Sequence, residues 1–167
     1  EELSERGLGL DVFVAPIGGG GLMSGACLTL SALSPSTQRW GAEPLGANDA
    51  ALSLASGQLT PQTNPQTICD GLHAGLGSLN WAILREHLTR VVTPNDQEVI
   101  EAMRLIWSRL KLIVEPSAAI GLAALLRSSP SDFTSSQLKG SQVSASRPLR
   151  VGVVLSGGNV DLDRLPW

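Results

Sequence analysis

The chain has 167 residues, of which 43% are hydrophobic and 16% are charged, and its formal net charge is −3. This length is typical of one domain built around a single core. The 12 lysines and arginines are outnumbered by 15 acidic residues and form no basic run, which argues against a nucleic-acid partner. No apolar stretch approaches the roughly 20 residues of a membrane-spanning helix, and the first residues do not resemble a signal peptide. We therefore expect a soluble, cytoplasmic protein that does not associate with membranes.

Strand-like apolar runs alternate with helical patterns along the chain. The span 57–77 is too polar and too rich in turn residues for a regular element, so we predict an ordered loop there. Thr93 and Pro94 are typical of a helix start, with Thr93 as the cap and Asp96 completing the motif. The helix that follows has one apolar stripe, formed by Val99, Met103, Ile106, Trp107 and Leu110. In chain order we predict a strand at 11–17, a helix at 22–33, a strand at 39–43, helices at 47–56 and 81–88, a strand at 90–93, a helix from 94 to 110, a helix at 117–126 and a strand at 149–155.

This alternation predicts the α/β class, with a three-layer αβα arrangement around an open parallel sheet. In such folds ligands bind beyond the carboxyl ends of the strands. The span 128–148 is rich in Ser and Pro, and we predict a flexible surface insertion there. Cys27 and Cys69 cannot build a disulfide framework and lack the spacing of metal ligands, so we expect ordinary core residues in a reducing compartment.

A glycine-rich sequence separates the first strand from the first helix. It consists of Gly18, Gly19, Gly20 and Gly21. Backbone amides at the start of a helix can bind a phosphate group, and glycines leave these amides unobstructed by side chains. Met23 and Ser24 stand where a dinucleotide-binding motif has its third glycine, and no Gly-Lys-Ser/Thr follows, which argues against dinucleotides and ATP hydrolysis. The alternative interpretation is a tight turn that lets the helix approach the strand.

Ser156 begins the sequence Ser-Gly-Gly-Asn directly after the last predicted strand. A hydroxyl at this end of the sheet, on a backbone that can approach a planar ligand closely, can bond to a ring nitrogen. The alternative is a serine that caps a helix or closes a turn.

Three acidic residues are further candidates. Glu43 and Asp49 bracket a flexible segment whose carbonyl groups, including that of Ala47, are available as oxygen ligands for Mg²⁺ or Ca²⁺. The alternative is a pair of solvated loop acids. Glu115 lies between an apolar sequence and an Ala-rich helix and is therefore expected to be partly buried, either in direct contact with a ligand or as a cap of that helix.

In this order, the motifs resemble the pyridoxal-phosphate enzymes of the tryptophan-synthase-like fold, known as fold type II, and among them the serine racemase and serine/threonine dehydratase family. The resemblance covers nearly the whole chain apart from the Ser-rich span. The uninterrupted glycines favour this branch over the enzymes that replace the side chains of serine esters. The matching sequences are Pro-Ile-Gly-Gly-Gly-Gly-Leu-Met-Ser-Gly at 16–25, Ala-Glu-Pro at 42–44, Thr-Ile-Cys-Asp-Gly at 67–71, Lys-Leu-Ile-Val-Glu-Pro at 111–116 and Leu-Ser-Gly-Gly-Asn-Val-Asp-Leu at 155–162.

The resemblance implies a pyridoxal 5'-phosphate site and a cation site. The glycine loop 18–21 would hold the phosphate, and Ser156 would bond to the pyridine nitrogen. Glu43, the Ala47 carbonyl and Asp49 match residues that bind a divalent cation in eukaryotic-type serine racemases. The resemblance also implies that ATP is an activator bound by Lys111 and Asn159, that the substrate is serine or threonine, and that the full-length enzyme is a homodimer.

The chain departs from the family at the Schiff-base lysine. The family carries this lysine on a Ser-Phe-Lys-x-Arg-Gly sequence upstream of the glycine loop, and Lys111 and Lys139, the chain's two lysines, match no such sequence. The segments of the small domain are also missing. We therefore expect the carboxyl-terminal half of an enzyme, inactive alone, with no catalytic residue in this chain. Two interpretations follow: a part of a serine racemase or dehydratase, or a truncated product that binds cofactor or cation without catalysis.

Overall fold

The strands form one parallel sheet. The structure is a computed structural model that describes Glu5 and residues 9–133 and 148–167. Within those residues the sheet has the strand order β3-β2-β1-β4. Val14 in the middle of β1 is paired with Trp40 of β2 on one side and with Val153 of β4 on the other. The strands are β1 (Val12–Pro16), β2 (Gln38–Ala42), β3 (Arg90–Val92) and β4 (Val151–Val153).

Helices connect the strands and cover the sheet. Two short segments at 45–47 and 70–72 form 3₁₀ turns, and a π-helical turn, Ile106–Leu110, extends the fourth helix. No helix among the described residues is long and apolar enough to cross a membrane. The helices are α1 (Gly21–Leu33), α2 (Asp49–Ser56), α3 (Ser78–His87), α4 (Asp96–Leu105) and α5 (Pro116–Arg127).

The two faces of the sheet bury separate apolar clusters. Successive side chains of a strand point to opposite faces. Val12 and Val14 of β1 pack with α4 and α5, whereas Ala15 and Ile17 pack with α1 and α3. Sequences buried on both faces are typical of parallel sheets. The arrangement confirms the predicted three-layer αβα fold.

The start of α4 differs from the prediction. Asn95 is the cap: its side chain accepts a hydrogen bond from the Glu98 amide at 3.0 Å, and the Glu98 carboxylate accepts one from the Asn95 amide at 2.7 Å. The prediction that Thr93 caps this helix with Asp96 is therefore wrong. Asp96 instead accepts hydrogen bonds from the Thr67 hydroxyl at 2.5 Å and the Ile68 amide at 3.0 Å, which fixes the long loop.

The end of the α4 stripe also differs from the prediction. Val99, Met103 and Ile106 are buried as expected, but Leu110 is 59% exposed. A π-helical turn has more residues per turn than an α-helix, so Leu110 is rotated away from the buried stripe.

The loop 57–77 is ordered by hydrogen bonds to neighbouring elements, as predicted. The Thr60 amide donates to the Ser53 hydroxyl at 2.8 Å, and the Gln66 amide donates to the Gly46 carbonyl at 2.8 Å. Together with Asp96, these contacts anchor the loop along most of its length.

Part of the predicted insertion packs against the sheet. The Phe133 ring stacks on Trp40 with the ring centroids 4.9 Å apart, and Asp132 forms an ion pair with Arg90 at 2.7 Å. Residues 134–147 of that span lie outside the described residues, so the expected flexibility stays a prediction.

Cys27 and Cys69 are free and buried, as expected. Burial raises their thiol pKa values to about 11 and about 12, so both stay protonated near neutral pH.

Candidate functional site

The candidate site lies where the order of the strands reverses. From β1 the chain adds β2 and then β3 on one side, and β4 returns to pair with the other side of β1. Because β1 and β4 are parallel, their carboxyl ends lie at the same edge of the sheet. The glycine loop follows β1, and Ser156 follows β4. Ligands of open α/β sheets bind at such a reversal.

A cavity of about 230 Å³ opens at this point. The glycine loop and Ser156 both contribute to its wall, although they are far apart in the sequence. Its lining residues are Pro16, Gly18, Gly19, Gly20, Gly21, Leu22, Gly71, Leu72 and Ser156.

Packing accounts for two of the four glycines. Gly20 has a φ of +89°, and a Cβ there would lie 2.6 Å from Leu76 Cδ1. A Cβ on Gly18 would lie 3.2 Å from the Gly71 carbonyl oxygen. A Cβ on Gly19 would lie 3.9 Å from the Gly75 carbonyl oxygen, and a Cβ on Gly21 would meet no atom within 4 Å beyond its chain neighbours and its own helix backbone, so packing among the described residues does not explain these two glycines. The tight-turn interpretation therefore explains only part of the motif.

The cavity wall includes the start of α1, whose cap is Gly20. Backbone amides in the first turn of a helix have no partner within the helix and carry its positive partial charge. With no side chain at Gly19 or Gly21, the space in front of these amides stays open. A phosphate group fits this arrangement of donors, whereas a cation does not.

Gly71 and Leu72 form another part of the wall, although the sequence motifs did not predict either of them as a site residue. The Gly71 amide donates to the Ser117 hydroxyl at 3.1 Å, which ties this loop to the start of α5. The Asp-Gly sequence at 70–71 was a signal of a turn, but only the tertiary structure brings it against Gly18.

Glu115 supports the loop that carries Ser156. Its carboxylate accepts a hydrogen bond from the Asn159 amide at 2.9 Å, and its amide donates to the Gly157 carbonyl at 3.2 Å. A Cβ on Gly157 would lie 2.5 Å from a Glu115 carboxylate oxygen. Glu115 is the N-cap residue of α5, as one of the two interpretations predicts, but its side chain makes no capping hydrogen bond; its backbone carbonyl accepts from the Ala118 and Ala119 amides, both at 3.1 Å. Glu115 does not line the cavity; it lies behind the Ser156 loop.

Ser156 itself is exposed, and no helix follows it within residues 154–167. The interpretation of Ser156 as a helix cap is therefore wrong. Asn159 and Lys111 are also exposed and lie on loops that touch each other, since a Cβ on Gly158 would be 2.8 Å from the Ile113 carbonyl oxygen. The binding of ATP by these two residues stays a prediction.

The Glu43 carboxylate is buried at the start of α2. It is 1% exposed, and its two oxygens accept hydrogen bonds from the Ala50 and Ala51 amides, both at 2.9 Å. Burial raises the pKa of Glu43 to about 8; the two amides oppose this shift, and the negative charge of Asp49 adds to it. The interpretation of Glu43 as a solvated loop acid is wrong.

Asp49 is also buried, at 4% exposure, and accepts hydrogen bonds from the Leu76 amide at 2.7 Å and the Gln62 side chain at 3.2 Å. Ala47, which lies between the two acids, is 2% exposed. Neither carboxylate forms an ion pair within the described residues, where no group of three or more His, Cys, Asp or Glu side chains is arranged to hold a metal. The raised pKa leaves Glu43 largely protonated near neutral pH, so a hard cation at this pair would have to displace that proton; carbonyl groups and water would be its other ligands.

Comparison with known proteins agrees with this geometry. A family model described as "Pyridoxal-phosphate dependent enzyme" matches residues 1–138. The chain belongs to this family. The expected resemblance to the serine racemase and serine/threonine dehydratase branch is confirmed by the relatives described next.

The chain is 44% identical, over its full length, to a beta-hydroxyaspartate dehydratase of Paracoccus denitrificans and covers 49% of that protein. It is 41% identical to a serine racemase of Dictyostelium discoideum over 98% of this chain and 48% of the relative. The fold is similar to that of maize serine racemase, with a TM-score of 0.83 and 41% identity over 97% of this chain and 46% of the maize chain. The chain thus spans about half the length of the relatives it matches.

Alanine substitutions in the glycine loop test which glycines are required by packing and which are not. We expect Gly20→Ala to lower the free energy of unfolding by about 2 kcal/mol, because the new Cβ is strained at positive φ and overlaps Leu76. We expect Gly21→Ala to leave stability unchanged or slightly raised, since alanine favours the helix. Chemical denaturation of both variants measures the difference. Equal losses in the two variants would contradict this assignment.

Proposed function

We propose that this chain forms the cofactor-binding part of a pyridoxal-phosphate-dependent serine racemase, which interconverts L- and D-serine and also eliminates water from serine to give pyruvate and ammonia. The observation that carries the proposal is the shared cavity: the glycine loop and Ser156 line it together at the carboxyl ends of β1 and β4. An anion site and a hydroxyl at one cavity match the two ends of this cofactor.

In this proposal the amides of the glycine loop and of the first turn of α1 bind the phosphate. The Ser156 hydroxyl faces the ring nitrogen and, being a weak acid, leaves that nitrogen largely unprotonated. Glu115 keeps the Ser156 loop in place through the Asn159 amide. When bound, the cofactor withdraws electrons from the Cα of an amino acid, which makes its proton removable.

We assign no proton transfer to residues of this chain. In the complete enzyme, the lysine that bonds covalently to the cofactor would lie on another segment, which contains the Ser-Phe-Lys sequence. The residues that bind the substrate carboxylate would lie there too. Lys111 is exposed on the loop after α4, and Lys139 lies outside the described residues. The alternative is a truncated protein that binds cofactor or cation without catalysis.

A second candidate activity is that of a dehydratase. The 44% identity with a beta-hydroxyaspartate dehydratase favours it, because a dehydratase removes the β-hydroxyl group as water, which is also the proposed elimination from serine. For this chain, the candidate substrates are then L-serine, L-threonine and 3-hydroxyaspartate, with ammonia and pyruvate, 2-oxobutanoate or oxaloacetate as products.

We also propose that ATP acts as an activator at the exposed Lys111 and Asn159, and that the complete enzyme is a homodimer. The two free, buried cysteines are compatible with a cytoplasmic location.

The first prediction concerns cofactor binding by the 167-residue chain. We expect it to bind pyridoxal 5'-phosphate more tightly than pyridoxal, by about tenfold or more, because only the former carries the anion. Gly19→Asp should abolish this preference, since its carboxylate would occupy the open space and repel the phosphate. Ser156→Ala should lower the affinities for both compounds by the same factor. Tryptophan fluorescence measures both affinities, and phosphorus NMR checks that for pyridoxal 5'-phosphate.

Asn64→Ala serves as a control, because Asn64 is exposed on the loop 57–77. Among the described residues, its side chain accepts a hydrogen bond from the Gln66 side chain and does not line the cavity. If Gly19→Asp and Ser156→Ala both bound the cofactor like the wild type, the proposed site would be wrong.

The second prediction concerns activity. We expect the chain alone to be inactive, and expect activity when it is co-expressed with the part of the D. discoideum serine racemase that this chain does not match. Incubation with L-serine should then give both D-serine and pyruvate, measured by chiral chromatography and a coupled assay. The unmatched part expressed alone is the control. Pyruvate without D-serine would refute the racemase activity and favour the dehydratase activity. A preference for 3-hydroxyaspartate over serine would indicate that this enzyme acts on the same substrate as the Paracoccus relative.

We further propose that Glu43, the Ala47 carbonyl and Asp49 bind Mg²⁺ or Ca²⁺. The support is the burial of both acids and the effect of the Asp49 charge on Glu43. Because the pKa of Glu43 is raised when the chain is folded, its ionisation costs stability as the pH rises from the ordinary value of 4.5 towards 8. A cation that neutralises the pair should recover this loss.

We therefore predict that Mg²⁺ or Ca²⁺ raises the melting temperature, and does so more at about pH 8 than at about pH 5, where protons compete for Glu43. Asp49→Asn should remove the cation effect, while its side-chain oxygen can still accept from the Leu76 amide. Asp163→Asn, at an exposed acid near the end of the chain, should keep it. Thermal unfolding with and without the cation measures this, and an undiminished shift in Asp49→Asn would exclude the site.

A further inference from the structure

The peptide between Gly19 and Gly20 has an orientation that depends on α3. The Gly19 carbonyl oxygen accepts a hydrogen bond from the Asn80 side-chain amide at 2.6 Å and a second from the Gly77 backbone amide at 3.2 Å. Gly77 caps α3, and Asn80 lies in its first turn. The carbonyl therefore points at the start of α3, which contributes no residue to the cavity wall.

A peptide unit is planar, so its carbonyl and its N–H point in opposite directions. A Gly19 carbonyl held towards α3 therefore directs the Gly20 N–H to the other side of the loop, where the cavity lies. A flip of this peptide would put a carbonyl oxygen, with its negative partial charge, against any bound anion. Consecutive glycines resist such a flip poorly, because no Cβ restricts either residue.

We propose that Asn80 is the positioning residue that sets the anion-binding orientation of the glycine loop. Asn80 suits this role because its amide is half-buried and its hydrogen bond to Gly19 is short. It touches the loop from behind, since a Cβ on Gly20 would lie 2.9 Å from the Asn80 Cβ. The inference rests on the proposed function only in taking the phosphate of the cofactor as the anion.

The test compares pyridoxal 5'-phosphate with pyridoxal, using the 167-residue chain. We expect Asn80→Ala to reduce the affinity for the phosphorylated compound about tenfold while leaving that for pyridoxal nearly unchanged. Asn80→Asp has the same shape, but its carboxylate cannot donate to the Gly19 carbonyl, so we expect a larger loss. A purely structural role would lower both affinities and the melting temperature in parallel.

Ser24→Ala is the matched control. The Ser24 hydroxyl on α1 donates to the Asn80 backbone carbonyl at 3.4 Å, so this variant disturbs the same contact between α1 and α3 without touching the Asn80 amide. We expect it to keep the preference for the phosphorylated compound. An Asn80→Ala variant that also keeps this preference would overturn the proposal.

A second measurement needs no variant. In the wild-type chain, titration with inorganic phosphate should shift the Gly20 amide proton resonance in a two-dimensional NMR spectrum. If the amides of Gly21 and Leu22 shift but that of Gly20 does not, Asn80 does not set the loop orientation, although the phosphate site stands. If none of the amides at 18–22 responds and pyridoxal binds as tightly as its phosphate ester, both the proposed function and this inference fail.

Discussion

The site depends on the parallel pairing of β4 with β1. This pairing joins strands from opposite ends of the chain, with Val14 opposite Val153 and the Val154 amide donating to the Val14 carbonyl at 3.0 Å. Because the two strands run in the same direction, the residues that follow them meet at one edge of the sheet. Ser156 comes to the glycine loop through this pairing, although the two sequences lie near opposite ends of the chain. The elements between them build the rest of the sheet and the two helical layers that keep β1 buried on both faces.

In the proposed site, backbone amides of the glycine loop and of the first turn of α1 are the groups that would bind the anion. Such a site needs open space in front of the amides and a fixed direction for each peptide. The glycines at 19 and 21 leave that space, whereas Gly18 and Gly20 allow Gly71 and Leu76 to approach closely. Glycine gives a loop little rigidity of its own, because its backbone is permissive. The direction of the peptides must then be imposed from outside the loop, which explains why the start of α3 packs against it.

Local patterns predicted the strand, glycine loop and helix sequence correctly, and the alternation of elements predicted the three layers. Patterns failed where two local solutions compete or where the partner is distant. At the start of α4, the prediction of a Thr93 cap failed because Asp96 accepts hydrogen bonds from the distant loop at 67–68, and Asn95 caps the helix instead. The π-helical turn has no sequence signature. Asn80 could not be found, because its role comes from a contact with a carbonyl 61 positions away.

The two candidate sites share a stretch of backbone at residues 76–77. Asp49 accepts the Leu76 amide at 2.7 Å, and the next amide along, that of Gly77, donates to the Gly19 carbonyl at 3.2 Å. The Leu76 side chain also fills the space that a Cβ on Gly20 would need. Only two adjacent peptide units therefore separate the Asp49 carboxylate from the Gly19 carbonyl along this series of hydrogen bonds. The loop that carries Ser156 is held by a different contact, the hydrogen bond from the Asn159 amide to the Glu115 carboxylate. Hydrogen bonds therefore connect the buried acids to the glycine-loop side of the cavity, whereas the Ser156 side is connected to Glu115.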